Sequence, residues 1–291
     1  MEITEKAPAK LNLCLDTPFR HSDGSPEWSM VMTAVDLADY VQITTHTDSL
    51  AICVETNSGF LPCDQRNLAY QAAKLLQRKY KIQEGVSIKI QKNIPVAAGM
   101  GGGSADAAAV LRGLNKIWEL GLSKAELAKL ALSIDSDVPF CVYSTPAHVT
   151  GKGEIITPLP KLPQMWIVIA KMKTSVSTPK ILRSIDYDTL PHQNVDAVVQ
   201  AIKNNDPQNL CQHMGNSLEA VTSQRHPNIL VLKEKMLKFG ADAAVMSGSG
   251  PTVFGICKKH SRAQHLYNSL KGFCQNVYLV RPIDLQQSEE H

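Results

Sequence analysis

The sequence predicts an α+β fold in two parts, and three features indicate it. In the first hundred residues, short runs rich in valine, isoleucine and threonine alternate with turns, as in residues 40–45 and 86–91. Longer segments with helical spacing of apolar residues follow. A proline-containing stretch, residues 155–164, then separates this half from a second one in which helices and strands are again mixed. We therefore expect two compact α+β halves in the 291-residue chain.

The first half begins with runs of β-branched and apolar residues that predict strands. Leu68, Ala72, Leu75 and Leu76 then fall at helical spacing after Asn67. An alanine-rich segment predicts a second helix, and a capping box, Ser123 with Glu126 three residues later, marks the start of a third. The predicted strands are 11–16, 30–37, 40–45, 50–55, 86–91 and 139–143, and the predicted helices follow Asn67 and span 104–118 and 123–132.

The second half begins near residue 165, where an apolar run predicts the strand 166–170. Segments with helical spacing come next, and apolar runs that are short enough for strands close the half. The predicted helices are 178–184, 194–204, 208–216 and 229–239, and the further predicted strands are 243–246, 253–257 and 276–280.

Composition restricts the class of protein. Hydrophobic residues make up 44% of the chain, enough for a core, and the net charge of +3 is too small to indicate a nucleic-acid binder. The sequence has no run of about 18 apolar residues and no signal-peptide pattern at its start, so we expect no membrane span and a cytoplasmic location. The seven cysteines form no CxxC pair and the nine histidines no metal-spaced cluster, which argues against a zinc site.

The strongest functional signal is the segment IPVAAGMGGGSADAA, residues 94–108, between a predicted strand and a predicted helix. Four glycines in five residues allow sharp turns and close approach of the backbone to a ligand. The unpaired N–H groups and positive dipole end of the next helix favour an anion. The segment therefore predicts a triphosphate-binding loop, in which Ser104 can cap the helix, contact phosphate or help to hold Mg²⁺.

Two well-known phosphate-binding loops do not fit the residues of this segment. A Walker loop is excluded because it ends in Gly-Lys-Ser or Gly-Lys-Thr, and this segment contains no lysine. A dinucleotide-binding loop fits poorly, since Ser104 stands at its last glycine position and no parallel βαβ unit precedes it. A tight glycine turn that binds no ligand remains the alternative.

Three segments, in order, resemble the motifs of the galactokinase–homoserine kinase–mevalonate kinase–phosphomevalonate kinase superfamily. APAKLNL at residues 7–13 is similar to the first motif, the glycine loop to the second, and MSGSGPTVF at residues 246–254 to the third. Four further segments resemble the 4-diphosphocytidyl-2-C-methyl-D-erythritol kinase family within it: RNLAYQAA from residue 66, LRGLN from 111, SDVPFC from 136 and TGKGE from 150. The resemblance covers nearly the whole chain and implies an ATP-dependent kinase acting on a small-molecule hydroxyl.

The resemblance also implies roles for individual residues. Asp137 matches a carboxylate that accepts or orients the proton of the acceptor hydroxyl, and Lys10 matches a nearby lysine that offsets charge on the transferred phosphoryl group. The implied nucleotide-binding residues are Asn67, Pro95, Val96, Ala97, Ala98, Gly99, Met100, Gly101, Gly102, Gly103, Ser104 and Ala105, with Ser104 also an Mg²⁺ ligand. The implied acceptor-binding residues are Asn12, Ser25, Pro26, Trp28, Ser247, Gly248, Ser249 and Gly250. The residues alone favour other interpretations. Asp137 would be a turn or cap residue and Lys10 a solvated surface charge, and Asn67 can be read as a helix cap.

The sequence departs from the erythritol kinase pattern mainly on the acceptor side. Ser25-Pro26 stands where that pattern has Tyr-His, the pair that reads the cytosine base. Base–aromatic stacking is worth about 1–3 kcal/mol, so its loss predicts roughly tenfold to hundredfold weaker binding unless the nearby Trp28 supplies a ring. Ala105 stands where a second serine is common, and Asp135 where the family usually has glycine.

The sequence thus predicts a two-lobed superfamily kinase fold. Residues 1–160 form an ATP-binding lobe, residues 161–285 a ferredoxin-like lobe for the acceptor or a lid, and residues 286–291 a frayed tail. The expected ligands are ATP, Mg²⁺ and a small-molecule acceptor, without nucleic-acid or membrane partners, in a monomer or homodimer. The favoured acceptor is 4-diphosphocytidyl-2-C-methyl-D-erythritol, phosphorylated to its 2-phosphate in non-mevalonate isoprenoid precursor synthesis.

Two alternatives to this function stay open. Ser25-Pro26 favours a kinase of the same fold that acts on another alcohol, such as a mevalonate-type or sugar-like acceptor. A nucleotide-binding protein without catalysis is the second alternative, and the retention of Lys10 and Asp137 argues against it.

Overall fold

The computed structural model describes residues 1–284, so the predicted frayed tail, 286–291, lies outside the described residues. The strands are β1 (Glu2–Asp16), β2 (Trp28–His46), β3 (Ile52–Thr56), β4 (Gly85–Gln91), β5 (Ala147–Gly151), β6 (Ile155–Pro158), β7 (Trp166–Lys171), β8 (Gly215–Asn216), β9 (Ala243–Met246), β10 (Thr252–Cys257), β11 (Asn276–Val280) and β12 (Pro282–Ile283). The helices are α1 (Leu68–Lys79), α2 (Gly102–Ile117), α3 (Lys124–Ala131), α4 (Val138–Tyr143), α5 (Thr178–Arg183), α6 (Val195–Lys203), α7 (Pro207–His213), α8 (Leu218–Arg225), α9 (Asn228–Lys238) and α10 (His260–Lys271). The predicted mixture of helices and strands is confirmed.

The described chain packs into two compact units whose borders differ from the predicted boundary at residue 160. The first unit contains Met1–Lys10, Leu37–Val96 and Gly101–Ser144, and the second contains Leu11–Asp36, Ala97–Met100 and the chain from Thr145 onward. Two of the borders fall within β1 and β2, because both strands are long enough to supply residues to each unit, and the others lie beside the glycine loop and after α4. The proline-containing stretch is partly β6, which pairs with β5. The division into an ATP-binding and an acceptor lobe stays a prediction.

In the first unit, a sheet is covered by helices. β4 lies between β3, to which it is parallel, and residues 40–46 of β2, to which it is antiparallel. α2 packs against α1 and α4, and its alanines are buried. Gly113 lies within this helix where a Cβ would come 2.4 Å from Cδ1 of Ile43, so the glycine allows α2 to approach β2 closely.

One predicted strand in the first unit is wrong. Residues 139–143 form part of α4, in which Cys141 N donates to Asp137 O at 3.1 Å and Ser144 N to Phe140 O at 2.8 Å. The run is apolar and buried on every side, and periodicity cannot separate a short buried helix from a buried strand. Pro139 was the missed signal, since proline is tolerated in the first turn of a helix.

The second unit contains a four-stranded antiparallel sheet in the order β11-β7-β10-β9. Along the chain, helices separate β7 from β9 and β10 from β11, which is the β-α-β-β-α-β pattern of a ferredoxin-like arrangement. α9 packs on β9 and β10, and α10 packs on β7, β10 and β11. Within residues 1–284, none of the helices combines the length and apolar character that crossing a bilayer requires.

Six elements of the described chain were absent from the sequence prediction: β5, β6, β8, β12, α8 and α10. Residues 215–216, predicted as the end of the helix 208–216, form β8 instead. α8 and α10 have weakly patterned, polar sequences, and β5 is a short strand that pairs with residues 28–32 of β2. β1 begins at Glu2, earlier than predicted, because its first residues include charged side chains that interrupt the apolar pattern. β5 and α10 pack against elements that are distant in sequence, β2 and β7 respectively.

Candidate functional site

The first unit brings Lys10 and Asp137 together as an ion pair. Lys10 Nζ lies 3.1 Å from Asp137 Oδ2, and the two side chains are 4% and 27% exposed. An ammonium group is rarely buried unless it is paired, so the carboxylate stabilises Lys10 in this position. The partly exposed carboxylate of Asp137 remains accessible to a ligand, while Lys10 is largely withdrawn from solvent. The surface-charge interpretation of Lys10 is therefore wrong.

A buried arginine fixes the two elements that carry this pair. Arg112, on α2, donates to Lys6 O at 2.7 Å and to Cys141 O at 2.8 Å, and its Nε lies 3.1 Å from Glu5 Oε2. These bonds join the first part of β1, which carries Lys10, to α4, which directly follows Asp137. Hydrogen bonds to charged groups are worth about 1.5–3 kcal/mol each, so α2 holds the pair firmly.

The start of α2, which ends the predicted phosphate loop, lies next to this pair. α2 begins at Gly102, and its N-cap Gly101 has a left-handed φ of +64°. A Cβ at Gly101 would lie 2.8 Å from Lys10 Cγ, so the aliphatic stem of Lys10 passes directly over this glycine. The first N–H groups of a helix have no intrahelical acceptor and form an anion site. Lys10 and the α2 N-terminus therefore lie side by side.

Ser104 occupies the third residue of α2, so it does not cap the helix. Its buried hydroxyl donates to Asp135 Oδ1 at 3.0 Å. The same oxygen accepts the backbone N–H of Asp137 at 3.0 Å. Burial, followed by the charge of Asp137, raises the pKa of Asp135. The carboxylate of Asp135 thus joins the phosphate loop to Asp137.

The other predicted loop residues differ in accessibility. Ala98, Met100 and Ala105 are buried, whereas Ala97 and Gly103 are exposed and Pro95, Val96, Gly99 and Gly102 are intermediate. Ala97 has a φ of +51°, the left-handed region that non-glycine residues rarely occupy. The exposed and intermediate members are accessible to solvent, and their contact with a nucleotide stays a prediction.

A buried ion cluster holds both ends of the loop within the first unit. Asp39 Oδ1, on β2, accepts the N–H groups of Asn93 at 2.5 Å and Ile94 at 2.8 Å. Lys92 Nζ pairs with Asp39 and lies 2.6 Å from Asp106 Oδ2, on α2. Burial raises the pKa of Asp106 to about 8. The sequence prediction missed this cluster because its members are separated by 14 to 53 positions.

Replacing Lys92 by methionine should lower the free energy of unfolding by about 3–5 kcal/mol, because the buried carboxylate of Asp39 loses its countercharge. Chemical denaturation measures this value. Lys233→Met is the matched control, since Lys233 pairs with Glu219 at 2.5 Å but is 31% exposed, and about 0–1 kcal/mol is expected there. Equal losses in the two variants would contradict a structural role for the cluster.

In the second unit, the start of the glycine loop contacts the third motif. Ser247 Oγ donates to Gly99 O at 2.9 Å, and a Cβ at Gly99 would lie 2.5 Å from Ser247 O. Gly248 N donates to Asn12 Oδ1 at 3.1 Å. Asn12 is fully buried in this arrangement, so it positions the third motif, and its contact with an acceptor stays a prediction.

Two residues that the sequence did not indicate hold the third motif from other directions. Asn216 Nδ2 donates to Met246 O and to Gly248 O, both at 2.7 Å. Thr178 Oγ1 lies 2.6 Å from Ser249 Oγ. Gly248 and Gly250 have positive φ angles of +56° and +83°, which the glycine-rich sequence permits. No local sequence signal marks Asn216 or Thr178, since each acts through a contact distant in sequence.

The remaining predicted positions have defined local roles. Asn67 caps α1, with Oδ1 accepting from Ala69 N at 2.9 Å and Nδ2 donating to Pro62 O at 2.9 Å. The helix-cap interpretation is therefore confirmed, and contact with the nucleotide base stays a prediction.

The segment that contains Ser25-Pro26 forms a tight turn in the second unit. Ser25 Oγ donates to Asp23 Oδ1 at 2.5 Å, and Lys152 pairs with the other oxygen of Asp23. The hydrogen bond from Lys152, followed by that from Ser25, lowers the pKa of Asp23. Pro26 forms an isolated bridge with Arg20, and Trp28 is 9% exposed. The turn therefore presents no aromatic ring at positions 25 and 26.

Comparisons with known proteins agree with these motifs. Residues 67–145 match the model of the GHMP kinases N terminal domain, and residues 198–276 match that of the GHMP kinases C terminal. The 4-diphosphocytidyl-2-C-methyl-D-erythritol kinase of Ligilactobacillus salivarius (strain UCC118) is 69% identical over 98% of this chain and 98% of its own length.

Two solved structures have the same fold. A crystal structure of 4-(cytidine 5'-diphospho)-2C-methyl-D-erythritol kinase superposes with a TM-score of 0.78 at 29% identity, covering 96% of this chain and 99% of the other. Homoserine kinase from Cytophaga hutchinsonii ATCC 33406 also superposes with a TM-score of 0.78, at 21% identity over 96% of this chain and 95% of the other. The second likeness concerns the fold alone.

Proposed function

This chain belongs to the 4-diphosphocytidyl-2-C-methyl-D-erythritol kinases, a family of GHMP kinases, and from that membership we propose that it phosphorylates 4-diphosphocytidyl-2-C-methyl-D-erythritol with ATP. The product would be the 2-phosphate, a precursor in non-mevalonate isoprenoid synthesis. The observation that carries the proposal is the ion pair between the buried Lys10 and the partly exposed Asp137, 3.1 Å apart, beside the N-terminus of α2.

The glycine loop and the start of α2 would hold the triphosphate. The absence of side chains at Gly101, Gly102 and Gly103 lets phosphate oxygens approach the backbone N–H groups. A γ-phosphate seated there lies near the ammonium of Lys10, because the Lys10 stem crosses Gly101. Phosphoryl transfer depends mainly on such positioning and charge stabilisation.

Asp137 would act on the acceptor hydroxyl. Its carboxylate can accept the hydroxyl proton, or orient the hydroxyl oxygen toward the γ-phosphate, once the acceptor lies within hydrogen-bond distance. Lys10 keeps this carboxylate in place and stabilises the negative charge of the transferred group. The proton ends on Asp137, the oxygen forms the new bond to phosphorus, and ADP is the leaving group.

The residues present fit an Mg²⁺ ion. Mg²⁺ prefers oxygen ligands, and in enzymes it is usually bound by a few protein oxygens together with the phosphates of the substrate. Ser104 Oγ and the carboxylate of Asp135 supply such oxygens at the start of α2. Among the residues that the structure describes, no group of three or more His, Cys, Asp or Glu side chains could hold a metal ion by itself. The ion would neutralise charge on the β- and γ-phosphates.

The identity of the acceptor can be tested with a substrate panel, because Ser25-Pro26 also favours an acceptor without a cytosine base. We expect ADP release with 4-diphosphocytidyl-2-C-methyl-D-erythritol to exceed that with mevalonate, homoserine or galactose.

Trp28→Ala should raise the KM for the cytidine acceptor if the tryptophan ring contacts the base. Turnover of another alcohol would support the first alternative, and ATP binding without any turnover the second. Oligomeric state and cytoplasmic location stay predictions.

A further inference from the structure

Asp135 carries a charge at a position where the kinase family usually has glycine, and the structure gives its carboxylate two partners. Its Oδ1 accepts one hydrogen bond from the Ser104 hydroxyl and one from the backbone N–H of Asp137, both at 3.0 Å. One oxygen atom therefore connects the proposed metal ligand with the proposed base.

The first of these bonds determines how Ser104 can bind a further partner. A serine hydroxyl has one hydrogen and two acceptor lone pairs. Because its hydrogen is directed to Asp135, only lone pairs remain for another group. Ser104 Oγ can then act as a ligand to a cation, and it cannot donate to a phosphate oxygen without losing Asp135.

We propose that Asp135 is a positioning residue that orients the Ser104 hydroxyl as a cation ligand and fixes its position relative to Asp137. The inference rests on the proposed function, in which the cation accompanies the nucleotide. Outer-shell groups that orient a metal ligand typically change metal affinity by 10–100-fold when they are removed.

A purely local role for Asp135 is the competing explanation. The bond from Asp137 N is a turn interaction over two residues, and it would stabilise the start of α4 without any effect on a cation. The two roles differ in whether removal of the carboxylate changes cation affinity through Ser104.

The test measures binding of Mn²⁺, a substitute for Mg²⁺, to the full chain in the presence of ADP by electron paramagnetic resonance. We expect Asp135→Ala to weaken Mn²⁺ binding by about tenfold or more. Ser104→Ala should weaken it similarly, and the double variant should show no further loss because both changes remove one interaction. Asp135→Asn should restore most of the affinity, since the amide oxygen can accept from Ser104.

Glu126→Ala is the matched control. Glu126 Oε2 accepts the Ser123 hydroxyl at 2.7 Å and the Ser123 N–H at 2.9 Å, so it is another carboxylate bonded to a serine hydroxyl and a backbone N–H in the first unit. We expect it to leave Mn²⁺ affinity unchanged. Thermal unfolding of every variant separates a binding loss from a folding loss.

The proposal is overturned if Asp135→Ala binds Mn²⁺ as tightly as the unmodified chain, or if the losses of Ser104→Ala and Asp135→Ala multiply in the double variant. Absence of Mn²⁺ binding by the unmodified chain with ADP also overturns it. Turnover assays run in parallel separate this result from the proposed function. If the chain turns over its acceptor but Asp135→Ala leaves Mn²⁺ affinity unchanged, the proposed function stands and the inference about Asp135 fails. If Asp135→Ala weakens Mn²⁺ binding but no turnover is seen, the inference stands and the proposed function fails.

Discussion

Asp137→Ala should lower kcat by about 10²–10⁴-fold, the usual contribution of a positioned general base. The loss reflects two changes, because the variant removes the proton acceptor and also leaves the buried ammonium of Lys10, 4% exposed, without this carboxylate. Steady-state kinetics with saturating ATP and acceptor measure the effect on kcat. The KM for ATP should change little, since the proposed nucleotide-binding residues are those of the glycine loop and not Asp137.

Two further variants separate the causes of this loss. Asp137→Asn keeps the size and the hydrogen-bonding oxygen but removes the charge, so it should retain more thermal stability than Asp137→Ala and still lose catalysis. Lys10→Met should lower kcat as well, because it removes the cation beside the α2 N-terminus. An Asp137→Ala variant with unchanged kcat would exclude Asp137 as the base, whatever its stability.

Gly101→Ala should reduce kcat by about 100-fold or more, because small displacements of catalytic groups have effects of that size. The added Cβ would lie 2.8 Å from Lys10 Cγ and 3.2 Å from Lys10 Cε. Either the lysine or the start of α2 must therefore move. The left-handed φ of +64° adds a backbone cost of about 1–2 kcal/mol for any L-residue with a Cβ.

Gly121→Ala is the matched control for this variant. Gly121 has a φ of +65°, and an added Cβ meets no atom within 4 Å. It should show the loss of stability that the backbone conformation alone causes, about 1–2 kcal/mol, and keep its kcat, since Lys10 is undisturbed. If both variants lose activity equally, backbone strain rather than displacement of Lys10 is responsible.

The glycine loop and the two other motifs could be recognised from sequence because their function depends on local features. Four glycines, a preceding strand and a following helix already predict an anion site. α2 nevertheless begins at Gly102, two residues before the predicted start, since Gly102 and Gly103 are poor helix formers that the sequence pattern does not assign to a helix.

The supporting contacts could not be predicted from the sequence. Asp39, Arg112 and Asn216 act on residues between 29 and 107 positions away, and only the folded chain brings the partners together. The α4 segment shows a different limit, because a short run that is apolar on all sides has no period to read. Asp135 departs from the family pattern at the level of sequence, but only the structure shows its bond to Ser104.

The most direct test of the central claim is ³¹P NMR of a reaction that contains the protein, ATP, Mg²⁺ and 4-diphosphocytidyl-2-C-methyl-D-erythritol. The account predicts a new phosphomonoester signal that grows in equal amount with ADP and is lost with Asp137→Ala. ADP accompanied only by inorganic phosphate, or bound ATP that is never consumed, would contradict phosphoryl transfer to this acceptor.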